Sequence, residues 1–173
     1  MCRRLKIFHP KLISETQSTF ISDNILVAQE IFHAMRTNPI WKSKFVAVKT
    51  DMSKAYDRVE WNFLEALMLK MGFAEKWVAW IKWCISSVSY QVLLNGEAKG
   101  NIKPSRGLRQ GDPLSPFLFI ILREALISQI KGAEAEGRLR GLKIAQASPA
   151  VSHLLFADDS LFSTKQMSRN VLS

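Results

Sequence analysis

Two aspartates stand side by side at positions 158 and 159, between the apolar runs Leu154-Leu155-Phe156 and Leu161-Phe162. A turn between two strands favours aspartate, so a solvated β-turn is the plainest reading of one such residue. Two adjacent carboxylates repel each other unless a cation or base lies close. A third acidic position has a similar setting. Asp51 follows Phe45-Val46-Ala47-Val48, a short apolar run that reads as a buried strand. If these strands are neighbours in one sheet, Asp51, Asp158 and Asp159 converge at one edge. Carboxylate oxygens grouped in this way bind hard divalent cations. Two such ions roughly 4 Å apart can activate a hydroxyl and hold a leaving pyrophosphate.

The elements that would position these groups follow from periodicity. Ile21, Ile25, Ala28, Phe32 and Met35 repeat every three or four residues, which predicts a helix over about 23–36 with Ser22 or Asp23 as cap and Asn38-Pro39 as its stop. Further helices are expected over 59–71, closed by Gly72, and over 75–85. In the latter Trp77, Trp80 or Ile81, and Cys84 share a stripe that reads as core packing, and Trp61 and Trp83 are assigned to packing as well. The period then changes to two. Residues 89–94 and 97–103 flank Asn95-Gly96, which predicts a hairpin with a type I′ turn. A polar loop over 104–112 leads to a helix from Ser115-Pro116 to about Lys131. A strand near 139–145 and a hairpin centred on Asp158-Asp159 complete the order. This mixture predicts an α+β fold, an antiparallel sheet backed by helices, of which a ferredoxin-like palm is one arrangement. No linker or repeat divides the chain, so one compact unit is expected.

Composition narrows the function classes. The chain has 173 residues, 47% of them apolar, with 24 Lys plus Arg against 15 Asp plus Glu and a net charge of +9. That excess suits a phosphate-backbone partner, although many small domains are basic without one. Cys2 and Cys84 form no C-x-x-C pair, which argues against zinc and a disulfide framework. His9, His33 and His153 are isolated and receive no catalytic role. No apolar run approaches the roughly 18 residues of a membrane span. The basic start Met1-Cys2-Arg3-Arg4-Leu5-Lys6 lacks the apolar region of a signal peptide, so an intracellular, reducing compartment is expected.

Three segments carry a resemblance. Lys49-Thr50-Asp51-Met52-Ser53-Lys54-Ala55-Tyr56-Asp57 resembles motif A of reverse transcriptases. Ser105-Arg106-Gly107-Leu108-Arg109-Gln110-Gly111-Asp112-Pro113-Leu114-Ser115-Pro116 resembles their motif B, and Phe156-Ala157-Asp158-Asp159 their motif C. From Phe45 to Thr164 the chain is similar to the reverse transcriptase of plant LINE-type (non-LTR) retrotransposons, with similarity beginning near Lys11. The resemblance implies an RNA-directed DNA polymerase that adds dNTPs to a primer 3′-hydroxyl, with an RNA template and a DNA primer as partners. It implies two magnesium ions held by Asp51, Asp158 and Asp159. Tyr56, five positions after Asp51, matches the ring that disfavours a 2′-hydroxyl. Gln110 and Gly111 match the pair that supports the incoming nucleotide and template. Arg109, like Arg106, is a candidate phosphate contact, with a solvated loop arginine as the other reading. Asp57 is expected to pair with Arg58 or cap a helix, and Asp112 to act as a loop or cap residue. The implied fold is a fingers-palm core: residues 1–44 as a fingers-like remnant, 45–164 as the palm, 165–173 unmatched and the thumb absent. Nuclear action is what the family implies, and no membrane partner is expected.

The chain also departs from the pattern. The segment around Gln17–Ile25 lacks a Gly-Arg that the family carries there. Arg123 stands in a helix that should be mostly apolar, where it either reaches solvent along its stem or disturbs packing. The alternative to an active enzyme is a remnant that at most binds nucleic acid through its positive charge.

Overall fold

Alternation along a strand and a three-to-four-residue stripe along a helix decide which side chains this chain buries. The computed structural model describes residues 14, 23–143, 148–156 and 159–165. They fall into two compact units, one formed by Lys54–Arg123, the other by the described residues of Pro10–Ser53 and Glu124–Ser173. The absence of a linker in the sequence led to the expectation of a single unit. The second unit is assembled from two stretches far apart in the chain, and one boundary falls inside a helix, so no composition shift marks the division.

In the second unit, α1 (Asp23–Thr37) and the short α2 (Pro39–Lys44) lead into β1 (Phe45–Asp51). The last turns of α5 (Ser115–Ala135) precede β4 (His153–Phe156) and β5 (Asp159–Lys165). The three strands form an antiparallel sheet in the order β1-β5-β4. Ile31 of α1 packs with Leu154 and Leu161 of the sheet and with Leu142, and Phe45 and Ala47 close the same cluster. β1 is not the buried strand that its apolar run suggested. It lies at the end of the described sheet, and its alternate residues Val46 and Val48 are 40% and 47% exposed while Phe45 and Ala47 face α1. One covered face is enough to hold an outer strand. The strand expected near 139–145 is reduced, among described residues, to a bridge between Leu142 and Val151. Arg140 instead offers its carbonyl to the amide of Lys165.

In the first unit a 3₁₀ turn (Tyr56–Arg58) precedes α3 (Trp61–Lys70) and α4 (Glu75–Ser86). Leu64 and Met68 of α3 meet Val78 and Ile81 of α4 in a core completed by Leu108, Leu114, Leu118, Phe119 and Ile121. α4 does not bury all of its tryptophans. Trp80 and Trp83 are 47% and 70% exposed. Ile81 holds the stripe, and residues one before and two after it lie about 100° and 200° round the helix. β2 (Tyr90–Leu94) and β3 (Glu97–Ile102) form the expected hairpin. Asn95 and Gly96 both have positive φ, 51° and 84°, as a type I′ turn requires.

Candidate active site

β1 and β5 run antiparallel in continuous register from Phe45 opposite Lys165 to Asp51 opposite Asp159. The last pair therefore sets two carboxylates face to face, although they are 108 positions apart in the chain. One face of β1 carries Phe45, Ala47, Lys49 and Asp51 in alternation. Its first half packs against α1 and its second half is charged, so one register places both the core and the acidic pair. Asp51 is exposed, and Asp159 is partly so. Two carboxylates about 5 Å apart repel by roughly 1 kcal/mol in water and roughly 3 kcal/mol at a protein surface. Lys49 answers part of this. Its Nζ lies 3.0 Å from Oδ1 of Asp159, with both side chains well exposed. An exposed pair of that kind contributes at most about 1 kcal/mol, so the strand end remains a net acidic position. Lys49 received no role from the sequence. Its alternation with Asp51 was the available signal, since residues i and i+2 share a face.

Asp158 lies outside the described residues. Among the described residues no group of three His, Cys, Asp or Glu side chains stands ready to hold a metal. The donor set of Asp51 and Asp159 is all carboxylate oxygen, which is the chemistry a hard divalent cation takes. Their face-to-face placement fits such an ion, because a dication would relieve the repulsion that Lys49 leaves.

In the first unit, the loop over 104–112 is tied to the segment that follows Asp51. The amide of Gly107 donates to the carbonyl of Val59 at 2.8 Å, and that of Leu108 to the carbonyl of Tyr56 at 2.9 Å. The indole N–H of Trp61 donates to the Gly107 carbonyl at 2.7 Å. Arg106 Nη1 donates to Glu60 Oε1 at 3.2 Å. Gly107 has φ +93°, and a Cβ there would stand 3.2 Å from the backbone of Asp57. Only glycine meets both demands without strain. The role of Gly107 is not visible in the sequence, because its pairing with Val59 is a tertiary contact with no local signature. Gly111 has φ +82° with open space where a Cβ would go. The amide of Asp112 donates to Arg109 O at 3.3 Å, so Gln110 and Gly111 form the corner of a β-turn, both exposed. A positive φ at the third turn residue is the type II requirement for glycine.

Tyr56 is half-buried, and its ring stacks on Phe119 with centroids 4.9 Å apart and planes 15° apart. Such a pair adds about 0.5–1.5 kcal/mol beyond its area. Arg109 lines a cleft of about 270 Å³ together with Arg106, Asp57, Asp112, Cys84 and Tyr90; Tyr56, Gln110 and Gly111 do not line it. Of its two expected roles, loop or cap, Asp112 takes the loop one: its Oδ1 accepts the amide of Leu114 at 2.8 Å, an Asx-turn just before α5. Asp57 is exposed and forms no ion pair with Arg58 among the described residues; its backbone instead meets Gly107. Arg123 does not reach solvent. It is 3% exposed and lies over the Phe119 ring. His153 is also buried, with Nδ1 2.7 Å from Ser152 Oγ. Loss of hydration lowers its pKa below the ordinary 6.5; Glu134 opposes that shift and Lys131 adds to it.

The family model for reverse transcriptase (RNA-dependent DNA polymerase) matches residues 1–172. The chain belongs to the reverse transcriptase family. As a member of this family of nucleotidyltransferases, it is similar to proteins of mobile elements. It is 31% identical over 157 residues to a Pol polyprotein from the type-1 retrotransposable element R2 of Nasonia vitripennis, covering 87% of this chain and 14% of that one. It is 25% identical over 154 residues to an uncharacterized 149 kDa protein of transposon TX1 from Xenopus laevis, covering 89% and 11%. An uncharacterized mitochondrial protein of Arabidopsis thaliana is 52% identical over 68 residues, 39% of this chain and 56% of that one. The reverse transcriptase chain thus spans a small part of the two transposon proteins. Its fold matches a solved apo telomerase from Candida tropicalis with a TM-score of 0.64 at 19% identity, over 94% of this chain and 33% of the telomerase. The α+β, reverse transcriptase-like architecture is therefore shared with telomerase.

Proposed function

We propose that the chain performs magnesium-dependent nucleotidyl transfer, adding dNTPs to a primer 3′-hydroxyl against an RNA template. The observation that carries this reading is the register of β1 against β5, which sets Asp51 opposite Asp159. Asp51, Asp158 and Asp159 would hold two magnesium ions. When bound, such ions supply Lewis acidity, lowering the pKa of a hydroxyl and stabilising charge on phosphoryl oxygens. The residues of the chain do the positioning. Lys49, ion-paired with Asp159, would give up that partner to a bound ion. Tyr56, its carbonyl tied to Leu108 and its ring to Phe119, would meet the sugar of the incoming nucleotide and disfavour a 2′-hydroxyl. Gln110 and Gly111, at an exposed turn, would support the nucleotide and template. Arg109 in its cleft would contact phosphate.

The net charge of +9 supports a second reading, a non-catalytic nucleic-acid binder. One assay separates the two. Primer extension on an RNA template with magnesium and dNTPs, lost in Asp51→Asn and Asp158→Ala, supports the polymerase. Salt-sensitive binding of the same primer–template without extension supports the binder.

A further inference from the structure

The ring of Tyr56 shares its neighbour, Phe119, with a buried cation. It lies on Phe119 at 4.9 Å between centroids, and the guanidinium carbon of Arg123 lies 5.8 Å from the centroid of that same Phe119 ring. Phe119 and Arg123 are 2% and 3% exposed. Four residues apart on α5, they share one face of the helix. All three belong to the Lys54–Arg123 unit. A guanidinium is costly to remove from water, so its place in an apolar helix calls for contacts that compensate. The face of an aromatic ring is one such contact.

We propose that Arg123 is a positioning residue for Tyr56, acting through Phe119. This rests on the reading of Tyr56 as the ring that meets the sugar. Rejecting a single extra hydroxyl demands a ring plane held steady. The terminal torsion of a phenylalanine has only a broad two-fold preference of its own, so the neighbours of the ring set its plane. The cation over Phe119 favours one plane of that ring, and the stack passes that plane to Tyr56. A methionine at 123 would fill comparable volume without directing the ring. The consequence falls on selectivity for the sugar rather than on the fold.

The test uses the full chain labelled with 3-fluorotyrosine. Tyr56 and Tyr90 are its only tyrosines, so Tyr90→Phe assigns the two fluorine resonances. Arg123→Met, Arg123→Lys and Phe119→Leu are compared. Each is first checked for folding by circular dichroism, with Arg123→Gln replacing Arg123→Met if the latter does not fold. Selectivity is read as the ratio of dissociation constants for GTP and dGTP, titrated on the Tyr56 resonance with magnesium and primer–template. Arg123→Met should shift the Tyr56 resonance in the direction that Phe119→Leu does. It should also shrink the GTP-to-dGTP ratio about two- to tenfold, chiefly by tightening GTP. Arg123→Lys, which keeps a cation, should retain most of both. A Tyr56 resonance unmoved by Arg123→Met overturns the proposal, as does Arg123→Lys behaving like Arg123→Met. If the resonance moves in Arg123→Met but neither nucleotide perturbs it in any form of the chain, the sugar-facing reading of Tyr56 fails and the selectivity claim goes with it. The link from Arg123 to Tyr56 would then still stand on the shift.

Discussion

The acidic end of the β1–β5 ladder and the loop around Gly107 are built on opposite principles. The first is made of side chains. Asp51 and Asp159 are set opposite each other by strand register, Asp51 exposed and Asp159 half-buried and paired with Lys49. The second is made of backbone. Gly107 and Leu108 fasten the loop to Val59 and Tyr56 through amide–carbonyl bonds, and the absence of a side chain at 107 is what allows the approach. The first region brings like charges together on opposed strand positions, an arrangement that suits a bound cation. The second depends on shape. A substitution at the strand end should therefore damage chemistry and spare the fold, and one at Gly107 itself should act first on the fold.

The sharpest way to break that contrast is Asp51→Asn. Extension should fall at least about 100-fold, because carboxylate ligands of a catalytic metal support several kcal/mol of transition-state stabilisation. The melting temperature should stay level or rise, since one of two opposed charges is gone. A drop of several degrees would show that the strand end is structural. Next in size is Gly107→Ala, expected to lower unfolding free energy by about 1–3 kcal/mol through its positive φ and the contact with Asp57. Gly111→Ala, strained in φ but with open space, should cost about 1–2 kcal/mol. Urea unfolding of the two variants compares them directly, and equal losses would mean that the approach to Asp57 contributes nothing.

A smaller effect concerns pH. His153 has a folded-state pKa below the ordinary 6.5, with burial the main cause. Below about 6.5 the unfolded chain takes up a proton that the folded chain refuses, so stability should fall as pH drops from there toward the folded value. Above that range the residue contributes no pH dependence. Replacing His153 by Gln should flatten this part of a stability–pH profile measured by urea unfolding; an unchanged slope would assign it to other groups. The smallest effect is expected for Lys49→Met. It removes an exposed ion pair worth at most about 1 kcal/mol. Freed from that competing cation, the acidic pair should bind magnesium up to about fivefold more tightly, read by titrating the melting temperature with magnesium. Weaker binding would make Lys49 a supporting group instead.

Much of the fold was legible in the sequence because it is decided within a few residues. Asn95-Gly96 specified its turn through φ, and the three-to-four-residue spacing of α1 specified a helix but not its buried face: Ile31 is buried while Ile25 and Phe32 are 46% and 42% exposed. The misreadings share a cause. The apolar run of β1 says nothing about which strand lies beside it, so its exposed alternate face was missed. Trp80 and Trp83 are hydrophobic enough to suggest a core, but only the direction of α3 and the rest of its unit decides which side of α4 is covered.

The sequence by itself determined the inventory and the family: three aspartates, a motif B loop, and the turns and helices that carry them. Those choices rest on torsion angles and short-range hydrogen bonds, which neighbouring residues control. Only the tertiary structure decided that Asp51 stands opposite Asp159, that Lys49 reaches across to it, and that Arg123 is buried over the ring on which Tyr56 stacks. Register between distant strands and the burial of a charge depend on which surfaces meet once the chain has collapsed, and no local pattern encodes that meeting.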